Sequence, residues 1–465
     1  MSTRLAQLAL VLLAAAGGLA AVAWATGVIG FVHDTPELQP TAHEASSPAA
    51  SDAPSALSSP AHPTAGPHPA EPAAPVARYV VCGREETPAR LYELSSRVPG
   101  AALWAVSCGS TAHVIAIEAE QGVVLARRVA LLQLPSPAPD RVPRAAPIAL
   151  LEAEPAWLVS TLRVDRNGSP AGGALFRVPL ASDPNASASR VHDASPGALA
   201  LATLDRTAGQ DFAVLQLGDA RVAQAGELWL FSGGPAPQRI ARRTVEPSAE
   251  ALAKIDLDGD GLDEVAVLTR GAPGHVTVHA VSDQAPALTI DVPESDGLYA
   301  FDLDGDGKQE LVTSGRSARS IAVASNSGET KPRQLTARAV TELDGLRDLI
   351  ELDADADGRT EIAGYAHPEV IAVTPAHADA PSKRSVLFEL SGEGFAVLQA
   401  QATHLDGDGA IDLIALVTTE SNDPHVELLL ATRPAGTSKS SALIQAPSTA
   451  RELRNAPLLR VLELR

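Results

Sequence analysis

A short acidic motif recurs in this chain about every fifty residues, and it restricts the possible fold more than any other feature. The clearest copy, KIDLDGDGLDEVAVLTR, covers residues 254–270 and places a loop of aspartates and glycines between two apolar segments. Similar loops begin at positions 302, 353 and 404, and a degenerate copy begins at 203. Successive loop starts are 53, 46, 51 and 51 residues apart. This regular strand–loop–strand pattern is typical of a repeat architecture.

Carboxylates occupy alternate positions in each of these loops, so like charges lie close together. Such groups repel one another and raise each other's pKa unless a bound cation screens them. Ligands that offer only oxygen suit a hard cation, and a flexible loop suits Ca²⁺ better than Mg²⁺. The pattern therefore predicts cation sites in the loops.

The same phase continues upstream, where two weaker repeat starts lie near Ala149 and Trp104. Most units also contain two further apolar segments between loops, which gives four short strands per unit, as in a propeller blade. We therefore predict an all-β fold, a β-propeller of about seven four-stranded blades, with six or eight as alternatives. Either 78–82 or 458–464 is expected to complete a blade when the ring closes.

The loops resemble the FG-GAP and VCBS repeats of integrin-alpha-like β-propellers, whose pattern is D-x-D-G-D-G-x-x-D between two strands. In that family the loop carboxylates and one backbone carbonyl hold Ca²⁺ on one rim. The resemblance implies three or four Ca²⁺ ions here. The implied side-chain ligands are Asp256, Asp258, Asp260 and Glu264 in the first loop, Asp302, Asp304, Asp306 and Glu310 in the second, and Asp353, Asp355, Asp357 and Glu361 in the third. The implied carbonyl ligands belong to Leu262, Lys308 and Arg359.

The fourth loop departs from this pattern. It keeps Asp406, Asp408 and Asp412, but His404 replaces the first aspartate. Because Ca²⁺ accepts nitrogen poorly, we expect a weaker site or a water molecule in that position. The loop at 203 has lost most of its acids and is expected to bind no ion.

Two other motif families share part of this pattern. An EF-hand requires glutamate at loop position 12 and flanking helices, and neither is present here. The segment FDLDGDG at 301–307 also resembles the D-x-D-G-T nucleophile motif of the haloacid dehalogenase superfamily, but Asp306 replaces the threonine. An enzyme needs one such nucleophile, whereas this motif occurs four times, so the repetition favours a structural role.

An uncharged apolar segment, LAQLALVLLAAAGGLAAVAWATGVIGFV, follows Arg4. It exceeds the ~20 residues that a membrane-spanning helix needs. Residues 1–32 are therefore predicted to form a transmembrane anchor with the N-terminus inside and the rest of the chain outside the cytoplasm, in the periplasm or at the cell surface. Cleavage of a signal peptide near Ala25 would instead release a secreted protein.

Residues 33–77 are rich in Pro, Ala and Ser and cannot bury a core, so they are predicted to form a disordered linker. The propeller is then expected to occupy residues 78–465. The chain contains two cysteines, Cys82 and Cys108. Outside the cytoplasm they are candidates for a disulfide, and two unpaired buried thiols are the alternative.

The chain carries a formal net charge of −20, which argues against binding to nucleic acid. The sequence contains no HExxH, GxSxG, P-loop or GxGxxG motif, and we expect no enzyme activity. The predicted function is a membrane-anchored, calcium-binding interaction or adhesion module with a protein or glycan partner at the cell surface. The alternative is a lectin-like or hydrolase-associated domain that acts on surface polysaccharide.

Overall fold

The computed structural model describes residues 76–463 apart from short segments. The segments that lie outside the described residues are 84–88, 95–100, 110, 121–122, 134–140, 144–147, 152–155, 166, 168, 180–187, 194–195, 206–209, 235, 258–259, 282–286, 304–307, 325–333, 354–359, 376–381, 392–394, 406–409, 420–424, 434–441 and 446–449. The predicted anchor, residues 1–32, and nearly all of the predicted linker also lie outside them. In the described part of the chain, no helix is long and apolar enough to cross a membrane.

Seven sheets, each built around four antiparallel strands, make up most of the described fold, and we number them as blades in chain order. Blade 1 contains β2 (Ala89–Leu94), β3 (Ala101–Cys108), β4 (Thr111–Glu120) and β5 (Val123–Gln133). Blade 2 contains β7 (Ile148–Leu151), β8 (Ala156–Ser160), β10 (Leu175–Pro179) and β11 (Ser189–His192). Blade 3 contains β12 (Pro196–Ala202), β13 (Asp211–Gln216), β14 (Gly226–Ser232) and β15 (Gln238–Val245).

The second half of the ring repeats this arrangement. Blade 4 contains β16 (Ala249–Ile255), β17 (Glu264–Thr269), β18 (Gly274–His279) and β19 (Leu288–Val292). Blade 5 contains β20 (Ser295–Phe301), β21 (Glu310–Gly315), β22 (Arg319–Ala324) and β23 (Gln334–Ala339). Blade 6 contains β24 (Arg347–Leu352), β25 (Glu361–Ala366), β26 (Glu369–Thr374) and β27 (Lys383–Ser391). Blade 7 contains β28 (Phe395–Thr403), β29 (Asp412–Thr419), β30 (Val426–Ala431) and β1 (Val76–Cys82).

A few described elements lie outside this four-strand pattern. One 3-10 turn among the described residues, Thr341–Leu343, precedes blade 6. The short strands β6 (Arg141–Pro143) and β9 (Arg163–Asp165) pair with each other beside blade 2. Three more strands follow blade 7: β31 (Ala442–Gln445), β32 (Arg451–Glu452) and β33 (Arg454–Glu463).

The first strands of the blades form a closed ring. Each one contacts the first strand of the next blade, and β28 of blade 7 contacts β2 of blade 1. The molecule is therefore a seven-bladed β-propeller, and the predicted fold class and blade number are confirmed.

The hydrophobic core lies between successive blades, as β13 illustrates. Phe212 and Val214 pack on one side with residues of blade 2, whereas Ala213 and Leu215 pack on the other side with residues of blade 4. Because side chains alternate between the two faces of a strand, both faces of this blade are buried. This explains why the inner strands read as continuous apolar segments instead of alternating patterns.

Ring closure depends on β1. It pairs antiparallel with β30, with Val76 opposite Ala431 and Tyr79 opposite Leu428. The prediction that 78–82 completes a blade is therefore confirmed, and the strand begins two residues earlier. Arg78 Nε donates to Glu427 Oε2 at 2.6 Å within this pair of strands, and both side chains are largely buried.

The described residues of the C-terminal segment, 442–445 and 450–463, form a strap around the outside of this seam. Its strands β31, β32 and β33 pair in parallel with β27, β1 and β5, which are the outermost strands of blades 6, 7 and 1 in their four-stranded sheets. The described part of the alternative closing segment 458–464, which is 458–463, therefore belongs to a fifth strand of blade 1 instead of completing a blade. The described part of the strap covers both sides of the closure.

Cys82 and Cys108 form a disulfide with a Cα–Cα distance of 5.9 Å. Cys82 is the last residue of β1 in blade 7, and Cys108 is the last residue of β3 in blade 1. The bond therefore joins the two blades that meet at the seam.

Of the two weak repeat starts upstream, the one near Trp104 was placed on the wrong hairpin. Trp104 is fully buried in β3, a middle strand of blade 1, and does not lie in a loop that follows the first strand of a blade. Ala149 lies within β7, which pairs with β8, so this start does fall on the first hairpin of blade 2. Blade 1 lacks the acidic motif, so its sequence gave no signal that separates its first hairpin from its second.

The buried ion pair at the seam leads to the first prediction. Replacing Glu427 with Gln leaves the Arg78 guanidinium buried without its counter-charge, so the free energy of unfolding should fall by about 3 kcal/mol. Urea denaturation monitored by circular dichroism measures this change. As a control, Asp193→Asn removes an exposed partner of Arg190 and should cost less than about 1 kcal/mol. Equal losses in the two variants would contradict the role of the buried pair.

Candidate cation-binding rim

The acidic loops connect the first and second strands of blades 4 to 7, and the degenerate copy occupies the same position in blade 3. The first strands of a propeller all run in the same direction, so the loops that follow them meet on one rim. We call the segments 203–210, 256–263, 302–309, 353–360 and 404–411 the acidic rim.

Some of the predicted ligands lie outside the described residues. They are Asp258, Asp304, Asp306, Asp355, Asp357, Arg359, Asp406 and Asp408. Within the part of the chain that the structure describes, no three His, Cys, Asp or Glu side chains come together as a metal-binding group. The flanking residues of each loop are described, and their contacts show how the loops are held.

In the loop of blade 4, two carboxylates accept hydrogen bonds from backbone amides of the same loop. Asp256 Oδ2 accepts a hydrogen bond from the Gly261 amide at 2.9 Å, and Asp260 Oδ1 accepts one from the Leu262 amide at 2.8 Å. Gly261 has φ +82°, a left-handed conformation that glycine adopts without steric cost. The loop thus brings two of the predicted side-chain ligands around a tight turn.

The ninth loop position makes the same hydrogen bond in at least four blades. Its carboxylate accepts from the backbone amide of the second loop residue, seven positions earlier, and that residue is leucine each time. The bonds are Leu204 N to Asp211 at 2.8 Å, Leu257 N to Glu264 at 2.9 Å, Leu303 N to Glu310 at 2.9 Å and Leu405 N to Asp412 at 2.6 Å. This bond closes the loop even in blade 3, where the other acids are largely lost. The ninth carboxylate therefore has a structural role of its own.

The aspartates at this position make a further bond. Asp211 Oδ1 accepts from the Gly233 amide at 2.7 Å, and Asp412 Oδ1 accepts from the Arg433 amide at 3.0 Å. Gly233 and Arg433 both lie just after the third strand of their blades. The shorter side chains are 2% and 0% exposed and tie the loop to that strand. Sequence reasoning treated Asp412 as an ion ligand and missed this tie.

His404 makes an internal contact in the fourth loop. Its Nδ1 lies 2.9 Å from the carbonyl oxygen of Ala410, and because a carbonyl only accepts, Nδ1 donates the hydrogen. Ala410 occupies the loop position of Leu262, Lys308 and Arg359. The imidazole N–H therefore binds the carbonyl that corresponds to the predicted backbone ligand of the other loops.

A pair of hydrogen bonds joins the loops of blades 3 and 4. The Asp263 amide donates to the Thr203 carbonyl at 2.7 Å, and the Thr203 amide donates to Asp263 Oδ2 at 2.7 Å. Lys254 Nζ also lies 3.6 Å from Asp263 Oδ2. Sequence reasoning missed this contact, because an eighth-position acid occurs in only one of the acidic loops.

A second group of acids lies near the opposite ends of the first strands. In blades 3 to 7 the first strand has a β-bulge near its start. Bulges re-aim side chains, and the bulged segments of blades 4, 5 and 6 carry Glu250, Asp296 and Asp348. Ser314 Oγ donates to Asp296 Oδ1 at 3.2 Å. In the sequence these residues appear only as single acids near the starts of apolar segments.

Burial and nearby arginines determine the electrostatics of this second group. Burial raises the pKa of Asp348 to about 6, while the charges of Arg90 and Arg347 act in the opposite direction. Burial also raises the pKa of Glu250, whose Oε1 lies 2.8 Å from Arg270 Nε. Arg90 belongs to blade 1 and influences acids of blades 4 and 6. The acids of this second group therefore lie close to arginines of opposite charge.

No family model matches the sequence, and no curated protein matches it at a significant level. Several solved structures are similar. The major allergen Mala s 1 of Malassezia sympodialis is 12% identical with a TM-score of 0.35, over 64% of this chain and 97% of that one. The C-terminal WD40 domain of Sif2 is 9% identical with a TM-score of 0.41, over 77% and 98%. An Agrocybe aegerita lectin, described for its recognition of non-reducing terminal N-acetylglucosamine, is 11% identical with a TM-score of 0.42, over 77% and 93%. Similarity at this level carries no argument about function.

The tie made by Asp211 gives the second prediction. Asp211→Ala leaves the amides of Leu204, Asp205 and Gly233 without their acceptor, so stability should fall by about 3 kcal/mol. The loss should be the same with Ca²⁺ and with EDTA, since the 203 loop lacks most of the other acids. Urea denaturation in both buffers measures it.

The control for this prediction is Asp291→Ala, which truncates an exposed aspartate on β19. It should change stability by less than about 0.5 kcal/mol. A loss at Asp211 that appears only in Ca²⁺ buffer would contradict a purely structural tie.

Proposed function

We propose that this protein is a calcium-stabilised β-propeller that acts outside the cytoplasm as a non-catalytic interaction module. One observation carries the proposal: the acidic loop occurs at the same place in four successive blades. A catalytic centre needs one such constellation, whereas a set of structural ions needs one in each blade. Residues 1–32 would anchor the module to the membrane.

The donor atoms of the rim suit a hard cation. The predicted ligands in the first three loops are carboxylate and carbonyl oxygens only, which are the ligands that Ca²⁺ prefers. The loop of blade 4 turns Asp256 and Asp260 around the left-handed Gly261, and this brings two of those carboxylates to one turn. When bound, Ca²⁺ would neutralise the carboxylates and hold them in place.

The fourth loop is proposed to differ from the other three. His404 donates a hydrogen bond to the carbonyl oxygen of Ala410. In the other three loops the carbonyl at this position is a predicted Ca²⁺ ligand, so in the fourth loop that oxygen is already bonded to the imidazole. Asp412 is engaged at both carboxylate oxygens by backbone amides. We therefore assign one Ca²⁺ ion to each of blades 4, 5 and 6. In blade 7 the hydrogen bonds of His404 and Asp412 would hold the loop without an ion.

The partner is proposed to be a protein or a glycan at the cell surface. Propellers with many different functions share this fold, so the fold is compatible with either kind of partner. The second candidate function is a lectin-like or hydrolase-associated role on surface polysaccharide. It rests only on the extracytoplasmic location predicted by the N-terminal segment.

The third prediction concerns the ions. Adding Ca²⁺ to the purified full-length chain should raise the melting temperature, and EDTA should lower it. A site that binds only the folded state contributes about 2.7 kcal/mol when free Ca²⁺ is a hundred times its Kd. Asp258→Ala and Asp304→Ala should each reduce this gain. Differential scanning calorimetry, with isothermal titration for the number of ions, measures both effects.

Two variants test the assignment from opposite directions. Asp205→Ala alters the degenerate loop and should leave the Ca²⁺-dependent gain unchanged. His404→Asp restores the first acid of the fourth loop and should raise the number of bound ions from three to four. A melting temperature that is the same in Ca²⁺ and EDTA would disprove the ion assignment.

The fourth prediction separates binding from catalysis. The full-length chain, immobilised in Ca²⁺ buffer, should retain a protein or glycan from a panel of surface molecules without converting it. Binding should weaken in EDTA if the ions shape the module. Release of new reducing ends from a surface polysaccharide would instead support the hydrolase-associated alternative. Surface plasmon resonance and a reducing-sugar assay distinguish the two results.

A further inference from the structure

A groove of about 550 Å³ lies at the seam between blades 7 and 1, where the strap crosses from one blade to the other. Among its lining residues are Tyr79 of β1, Arg127 of β5, and Arg451, Glu452 and Arg454 of the strap. Its size is within the range of sites that bind small ligands.

The strand register brings the arginines together. In the parallel pairing of β33 with β5, Arg454 lies opposite Arg127, and in the pairing of β32 with β1, Arg451 lies opposite Tyr79. Like charges on directly opposed residues destabilise a sheet. Arg127 also forms an ion pair with Glu118 at 3.6 Å. The lining of the groove thus holds three arginines and one carboxylate, Glu452, in a chain whose net charge is −20.

The phenol of Tyr79 supplies a second, independent observation. The side chain is 4% exposed, and its hydroxyl has no hydrogen-bond partner among the described residues. A buried hydroxyl without a partner costs about 1–3 kcal/mol, so such groups are rare in folded proteins. A ligand oxygen in the groove would provide the missing acceptor.

We propose that this groove binds an oxyanion, namely a carboxylate or phosphate group carried by a small ligand. Guanidinium groups bind both oxyanions through paired, charge-assisted hydrogen bonds. Arg454 and Arg451 would contribute from the strap, Arg127 from blade 1, and the Tyr79 hydroxyl from blade 7. Such a ligand would contact the strap, blade 1 and blade 7 together, so its binding would stabilise the closed ring.

The test uses the full-length chain at constant ionic strength, adjusted with KCl. Inorganic phosphate and glucuronate are the two oxyanion probes, and glucose is the neutral control. Isothermal titration should show binding of one or both oxyanions and none of glucose. Binding of phosphate alone identifies a phosphate site, and binding of glucuronate identifies a carboxylate site. Equal binding of glucose, or binding of neither oxyanion, would overturn the proposal.

Variants locate the binding. Arg454→Gln and Arg127→Gln should each lower the affinity for the oxyanion by at least about tenfold, because each removes a charged hydrogen-bond donor. Arg454→Lys keeps the charge without the bidentate geometry and should give an intermediate loss. The matched control is Arg384→Gln, an exposed arginine on β27 away from the groove, which should bind like the wild type. Wild-type affinity in both Arg454→Gln and Arg127→Gln would overturn the proposal.

Tyr79→Phe separates a ligand-binding role from a structural one. Without oxyanion the variant should melt at the same temperature as the wild type or higher, because the hydroxyl has no partner to lose. Its oxyanion affinity should fall. A lower melting temperature with unchanged affinity would show that the hydroxyl serves the fold, against the proposal. The Ca²⁺-dependent gain in melting temperature should persist in every groove variant, which keeps this test independent of the calcium assignment.

Discussion

Each described blade buries its faces against its neighbours, so the structure depends on the meeting of its first and last blades. One strand, β1, makes this possible by pairing with β30. The Arg78–Glu427 pair, the disulfide and the parallel strap all act on β1 or beside it. Separation of β1 would expose apolar surface on two blades at once.

The repeat made most of the fold predictable. A loop of fixed length between two apolar segments, repeated at nearly constant spacing, identifies the first hairpin of each blade in the second half of the chain. Blades 1 and 2 lack this marker, and Trp104 was therefore placed in a loop although it lies in a middle strand. The strap was not predicted because parallel addition of an outer strand leaves no periodic signal in the sequence.

The candidate site was predictable in composition and less so in contacts. The sequence identified carboxylates at alternate positions, but it could not distinguish a carboxylate that faces a cation from one that holds the backbone. Asp211 and Asp412 belong to the second kind, because each accepts hydrogen bonds from an amide in its own loop and from an amide just after the third strand of its blade. Asp263 shows the same limit, since its partner Thr203 belongs to another blade.

The disulfide has a consequence for the order of assembly. Cys108 follows Cys82 by 26 residues, whereas Glu427 follows its partner Arg78 by 349. In a chain made from its N-terminus, the covalent partner of β1 is available long before its hydrogen-bonding partner. If the cysteines oxidise before blade 7 is made, the disulfide holds β1 against blade 1 while the five blades between them are synthesised. Blade 7 would then pair with a strand that already lies beside blade 1.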